Sequence, residues 1–183
     1  MVAMKILIAY YSETGNTAQV AQAMYEALSK DHDVVLMTVQ EVSFDLLLGF
    51  ELVFLGAAVH DSDLAKPLKR LLEVLPMNPS FKLAGFSTHA VYEPDGSSHK
   101  DALYEQWAGR CLPSFKVACR EKSIQFLGYF HCQGVPSEPI ERFIHREIIT
   151  SKEEWNEYLP ELRKHPTPED LQNAKDFARK MIN

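Results

Sequence analysis

The chain has 183 residues, of which 46% are hydrophobic and 24% charged, and its formal net charge is −6. That length suits one domain with a substantial core, and no apolar run approaches the roughly 20 residues that cross a bilayer. The acidic balance argues against a general nucleic-acid binder, which rewards clustered Lys and Arg, and is compatible with a basic protein partner.

The N-terminus shows no charged segment, apolar stretch and cleavage site in series, so secretion is not expected. Cys111, Cys119 and Cys132 form no C-x-x-C pair and read as reduced thiols of a cytoplasmic protein.

Strand-like and helix-like patterns alternate from the start. Residues 6–11 (Ile-Leu-Ile-Ala-Tyr-Tyr) form an apolar strand that hands over to Ser12-Glu13-Thr14-Gly15-Asn16-Thr17. An amphipathic helix follows, with Thr17, Val20, Ala21, Met24, Ala27 and Leu28 on one face. A polar, glycine-containing loop at a helix N-terminus presents free N–H groups and the positive end of the helix dipole, so a phosphate is the expected anion.

Residues 34–39 and 52–56 read as two further buried strands, and Leu68, Leu71, Leu72 and Leu75 mark a crossover helix with Pro67 in its first turn. Residues 83–88 and 124–130 supply a fourth and fifth strand. Between these two, the spacing predicts a helical segment from about Lys100 to Cys119, interrupted at Pro113. Residues 93–98 (Glu-Pro-Asp-Gly-Ser-Ser) look like a flexible, turn-rich loop. The closing helix has Thr167 as N-cap, Pro168 at its first position and Asp170 three residues beyond the cap, with Leu171, Ala174, Phe177, Ala178 and Met181 on its buried face.

Five buried strands joined by helical crossovers imply a doubly wound parallel α/β sheet with helices on both faces. Ligands of such sheets lie beyond the C-terminal strand ends, where strand order reverses. The first strand-to-helix loop borders that point.

These features resemble the flavodoxin-like FMN-binding family, whose phosphate loop reads Thr/Ser-x-Thr-Gly-x-Thr. The resemblance covers residues 4–130 and 167–182 and implies a five-stranded sheet in the order 2-1-3-4-5 with FMN as cofactor. It implies that Ser12, Thr14 and Thr17 donate hydroxyls to the FMN phosphate, joined by the N–H groups of Gly15 and Asn16, while Glu13 faces solvent. It places two further loops against the flavin ring: residues 56–61, with Ala57, Ala58, Val59 and His60, and residues 88–92, with Thr88, His89, Ala90 and Tyr92. Where an aromatic side chain commonly stacks on the ring, the first of these loops offers His60, a candidate for shaping or protonating the flavin environment.

His60, His89 and His131 each follow a strand and fall along the cofactor edge of such a sheet, with Cys132 beside the last. No H-x-x-H or paired-carboxylate spacing accompanies them, so no metal site is expected. Cys132 reads as a buried thiol and Trp107 as a packed side chain.

Residues 131–166 form the least ordinary segment, because a compact connection before the last helix needs only about 2–6 residues. Phe143, Ile144, Ile148, Ile149, Trp155, Tyr158 and Leu159 make it too apolar for a linker, and Ser151 is placed to cap a short helix. It is expected to be an ordered excursion of a single domain, covering the sheet edge, roofing the flavin or forming a homodimer contact.

The functional expectation is an FMN flavoprotein transferring electrons to a redox protein partner or a small-molecule acceptor. Two alternatives stand beside it. One is an NAD(P)H-dependent oxidoreductase of the quinone reductase type, and the other is a flavodoxin-like binding module without redox activity.

Overall fold

The computed structural model describes residues 2–182. Its order is β1 (Lys5–Tyr11), α1 (Asn16–Leu28), β2 (Asp33–Thr38), a short helical turn α2 (Phe44–Leu47), β3 (Leu52–His60), β4 (Asp63–Leu64), α3 (Lys66–Glu73) and β5 (Lys82–His89). There follow α4 (Ser98–Trp107), α5 (Cys111–Glu121), β6 (Phe126–Gln133), α6 (Glu138–Glu147), α7 (Lys152–Leu162) and α8 (Pro168–Met181).

The sheet runs β2-β1-β3-β5-β6 with every neighbouring pair parallel, which is the expected 2-1-3-4-5 order. The two-residue β4 is an addition that folds antiparallel onto the end of β3, pairing Val59 with Leu64 and His60 with Asp63.

Alternation along the strands builds two cores. Ile6, Ile8, Leu52, Phe54, Ala84 and Phe86 pack with Val20, Met24, Leu28, Ala174 and Ala178 from α1 and α8. Leu7, Ala9, Val53, Leu55 and Leu83 pack on the opposite face with Leu68, Leu71, Leu72 and Phe115 from α3 and α5. The fully buried Phe115 lies directly on β5: a Cβ at Gly85 would come within 2.7 Å of its ring.

The expected helix over 100–119 is two helices, and the break falls before Cys111 rather than at Pro113. Pro113 sits in the first turn of α5, where its missing N–H costs nothing. A Cβ at Gly109 would meet the Glu105 carbonyl at 2.6 Å, so the chain passes this junction through a glycine. The fifth expected strand is displaced C-terminally by about two residues, and β3 is longer than expected; His60, His89 and His131 therefore lie within strands.

The residues between β6 and α8 fold into two helices. Ser151 Oγ accepts the Glu154 N–H and starts α7, as its sequence predicts. Ile144, Ile149, Trp155, Tyr158 and Leu162 form a separate small core with Tyr92 and Ala90 against it. His145 stacks on Trp155 with ring centroids 4.5 Å apart, and Arg163 pairs with Glu141 at 2.8 Å, joining α7 to α6. At α8, the Thr167 and Asp170 side chains cap each other's backbone in a complete capping box.

Replacing Phe115 by Ala is expected to lower unfolding free energy by about 3–5 kcal/mol, through lost burial and the cavity left over Gly85. Urea denaturation followed by far-UV circular dichroism measures it.

Candidate functional site

The site is built where α1 leaves β1. Gly15 takes φ +91° at the N-cap of α1, a left-handed conformation open to glycine, and no side chain caps the helix. The first-turn N–H groups of α1 are therefore left for an anion. Space ahead of Gly15 is open, with nothing within 4 Å of where a Cβ would stand.

The loop is folded on itself. Gly15 N–H donates to Ser12 Oγ at 3.1 Å, so this amide, expected to face the phosphate, is already engaged. Asn16 Nδ2 donates to Thr14 Oγ1 at 2.8 Å and to the Val135 carbonyl at 2.6 Å. Ser12 and Thr14 thus act as acceptors, and each keeps its O–H to donate outward. Thr17 Oγ1 shares a buried hydrogen bond of 2.8 Å with Thr88 Oγ1, anchoring the helix to β5. A Cβ at Gly134 would meet Asn16 Cβ at 2.7 Å, so the chain leaving β6 lies tightly against the loop.

A cavity of about 430 Å³ opens beside this loop, within the range of small-molecule sites. It is floored by the ends of β3 and β5 and by residues 134–137, and α6 roofs it with Ile140, Phe143 and Ile144. Trp107 lines one side, edge-on to Phe143 at 5.8 Å. Among the described residues, no Lys or Arg lines it.

Glu13, Thr14, Asn16, Ala58, Val59, His60, Thr88, His89 and Ala90 all line this cavity, whereas Ser12, Gly15, Thr17, Ala57 and Tyr92 do not. Tyr92 is turned into the small core of the roof. Its hydroxyl donates to Glu154 Oε1 at 3.1 Å, and its ring meets Tyr158 at 4.5 Å. Burial, and then the Glu154 carboxylate, push its pKa well above the ordinary phenol value. Tyr158 in turn donates to the Ala90 carbonyl at 2.5 Å. Ser62 and Trp107 are lining residues missed from sequence, whereas Asp61 falls in the expected loop 56–61 and the wall from Gly134 to Ile148 in the segment for which roofing was one expectation.

Glu13 is exposed. It accepts the Tyr11 hydroxyl at 2.6 Å and lies 3.7 Å from His60 Nε2. His60 also meets Tyr11 edge-on, at 6.3 Å between centroids. The hairpin beyond it passes through Asp61 (φ 50°) and Ser62 (φ 68°), both left-handed without glycine.

His89 and His131 converge, and His60 does not join them. His89 Nε2 lies 3.3 Å from His131 Nδ1. The Glu93 carboxylate meets both, with Oε1 3.1 Å from His89 Nε2 and Oε2 3.0 Å from His131 Nδ1. Residues 93–98 are accordingly not a free loop, since Glu93 folds inward and Asp101 accepts the N–H groups of Asp95 and Gly96. Burial works to raise the pKa of Glu93, but His131 and His89 outweigh it and hold the pKa at about 2. Cys132 is buried, and burial raises its thiol pKa far above the ordinary value, which keeps it an unreactive thiol.

A parallel sheet in this order, with an uncapped glycine loop at its first switch point, defines the class of α/β proteins that bind phosphate-bearing ligands at the strand ends. The family model for the flavodoxin domain matches residues 7–179, and the chain belongs to that family. Residues 131–166 lie between those bounds.

The chain is 26% identical over 187 residues to the flavodoxin-like domain-containing protein BilS of Clostridioides difficile strain CD3, covering 98% of this chain and 97% of that protein. Among solved structures, oxidised flavodoxin 2 from Bacillus cereus superposes with a TM-score of 0.65 at 20% identity, covering 97% of each chain. A flavodoxin from the domain Archaea gives a TM-score of 0.60 at 19% identity, covering 98% of this chain and 100% of that one. These likenesses establish the fold.

FMN, the group this family implies, fits the residues present. The uncapped α1 amides and the outward Ser12 and Thr14 hydroxyls suit a phosphate, and the cation-free, partly apolar cavity suits a ring system.

Asn16→Ala removes the donor to both Thr14 and Val135. It is expected to cost about 1–3 kcal/mol and to speed amide hydrogen exchange selectively over residues 134–137, read by mass spectrometry.

Proposed function

We propose that the protein binds FMN noncovalently and serves in electron transfer. The observation that carries this reading is the continuity between the uncapped Ser12–Thr17 loop and the roofed cavity at the ends of β3 and β5. The loop is the anion end, and the cavity between Ala58–Ser62 and Thr88–Val91 is the ring end. When bound, the flavin supplies the electron-accepting and electron-donating chemistry.

The chain's own residues bind, orient and enclose. The α1 amides and the hydroxyls of Ser12 and Thr14 hold the phosphate without a cationic side chain, sharing its charge among neutral donors and the helix dipole. Ile140, Phe143, Ile144 and Trp107 exclude water from one side of the cavity, the part that a stacking aromatic plays elsewhere in the family. His60, held between Tyr11 and Glu13 at the mouth, is the group positioned to hold or move a proton there.

The apolar wall under α6 also favours a second reading, in which a nicotinamide reduces the flavin directly and a small acceptor such as a quinone takes the electrons. A redox protein partner belongs to the first reading, and a small-molecule acceptor to the second. Stopped-flow mixing of FMN-loaded protein with NADH or NADPH distinguishes them. Electron transfer alone predicts no rapid bleaching of the flavin, and reductase activity predicts bleaching followed by turnover with quinone.

FMN binding itself is tested by fluorescence titration against riboflavin, which lacks the phosphate. FMN is expected to bind at least about tenfold more tightly, a difference of about 1.4 kcal/mol. Gly15→Asp, which adds a Cβ and a negative charge at φ +91°, is expected to abolish that preference while leaving riboflavin affinity unchanged. Protein that ignores saturating FMN contradicts the proposal.

A further inference from the structure

We propose that His89, Glu93 and His131 form a binding site for one divalent transition-metal ion, separate from the Ser12–Thr17 loop. Successive residues of β5 reach the loop and the cluster, and His89 also borders the cavity. Thr88 meets Thr17 of α1 on one face, and His89 meets His131 and Tyr104 on the other.

The scaffold is rigid. In the β5–β6 register Ser87 opposes His131 and His89 opposes Gln133, so the two histidines are diagonal neighbours on adjacent parallel strands. Tyr104 from α4 packs its ring against both imidazoles, 5.2 Å from His89 and 4.8 Å from His131 between centroids.

The hydrogen-bond inventory leaves a carboxylate oxygen available to a cation. His89 Nδ1 lies 3.2 Å from the Val91 carbonyl. A carbonyl only accepts, so Nδ1 carries the hydrogen, and Nε2 is the ring atom left to serve as a metal ligand. This tautomer, fixed by a backbone carbonyl, is the usual state of a metal-ligating histidine. Nε2 is 3.1 Å from Glu93 Oε1. That oxygen is buried and receives no directed hydrogen bond, although an unpaired buried carboxylate oxygen is costly. A proton on Nε2 bridges the two atoms, and a metal ion that displaces it takes both as ligands.

The spacing suits a metal ion. Ligands bonded at about 2.0–2.1 Å in a tetrahedron stand about 3.3 Å apart. The two imidazole nitrogens stand 3.3 Å apart, one Glu93 oxygen lies against each at 3.1 and 3.0 Å, and a ligand atom from each of the three residues lies within 4.8 Å of the other two. Two imidazole nitrogens with one carboxylate suit zinc and its neighbours, not calcium or magnesium, which prefer all-oxygen sets. The side chains of His131 and Glu93 are 26% and 38% exposed, so an ion can enter and a fourth position stays open to solvent. Bound there, the ion ties the chain beyond β5 to the ends of β5 and β6.

The sequence concealed this site because its ligands lie on separate segments. His89 and Glu93 sit four apart in a connection without helical structure, and His131 arrives 42 residues after His89. The pattern that identifies a metal site is absent, and only the strand register creates the cluster.

The test uses the full chain, stripped with EDTA and dialysed, then titrated with Zn²⁺ against a chromogenic chelator and with Co²⁺ by visible absorption. Wild type is expected to take up one equivalent of Zn²⁺ with micromolar or tighter affinity, and Co²⁺ to give the intense visible bands of a tetrahedral site. Glu93→Gln and His131→Gln are each expected to weaken Zn²⁺ binding by roughly tenfold or more. His131→Cys, which keeps a ligand, should retain it. Glu154→Gln, at the separate His99–Glu154 surface pair, should leave it unchanged. Near-UV circular dichroism in EDTA establishes that each variant is folded. Absence of stoichiometric uptake by wild type, or equal affinity in Glu93→Gln and His131→Gln, overturns the proposal.

Discussion

The start of α1 is held at a fixed place on the sheet edge, and the site depends on that restraint. Thr17 is buried against Thr88 at the end of β5, and Asn16 grips the Val135 carbonyl just beyond β6. The helix dipole and its uncapped amides are aimed at one point as a result. Without these two contacts, Ser12–Thr17 would be a polar turn free to reorient, and a phosphate would have to order it on binding. With them, that ordering is supplied by folding, so binding does not have to pay for it.

The same restraint joins the loop to the roof. Residue 135 leads into α6, whose apolar face covers the cavity, and α7 is fastened back to β5 by the Tyr158 bond to Ala90. Tyr92 is drawn into that roof instead of standing beside the cavity. The enclosure given elsewhere by a sandwich of aromatic side chains is provided here by Ile140, Phe143, Ile144 and Trp107. This is how a chain with His60 in the first ring-side loop and a buried Tyr92 in the second still makes a partly apolar chamber. It also explains why α6 and α7 each bury an apolar face while contributing nothing to the five-stranded sheet.

Much of the fold was legible because its signals are local. Apolar runs such as residues 6–11 and 52–56, the helical spacing from Thr17 to Leu28, and the Thr167–Asp170 capping box all act within one element. The turn Ser12–Thr17 between β1 and α1 was legible for the same reason. What sequence misjudged depends on contacts across the chain. Pro113 looked like a break but fits a first turn, and the break belongs to the close passage at Gly109. Glu93, in a stretch rich in turn residues, folds inward because His89 and His131 attract its carboxylate from two different strands. Tyr92 turns away from the cavity because α7 offers Tyr158 and Glu154. His131 lies far from Glu93 in sequence, as do Tyr158 and Glu154 from Tyr92, so no pattern within a window could reveal these contacts.

The central claim is that the first turn of α1 is a phosphate site belonging to a flavin. It is tested most directly by ¹⁵N–¹H NMR of the labelled protein titrated with FMN and, separately, with riboflavin. The account predicts that the Asn16 and Thr17 amides shift strongly with FMN and little with riboflavin, while residues 58–60 and 88–90 respond to both. Equal responses of Asn16 and Thr17 to the two ligands, or FMN shifts confined to another part of the chain, would contradict it.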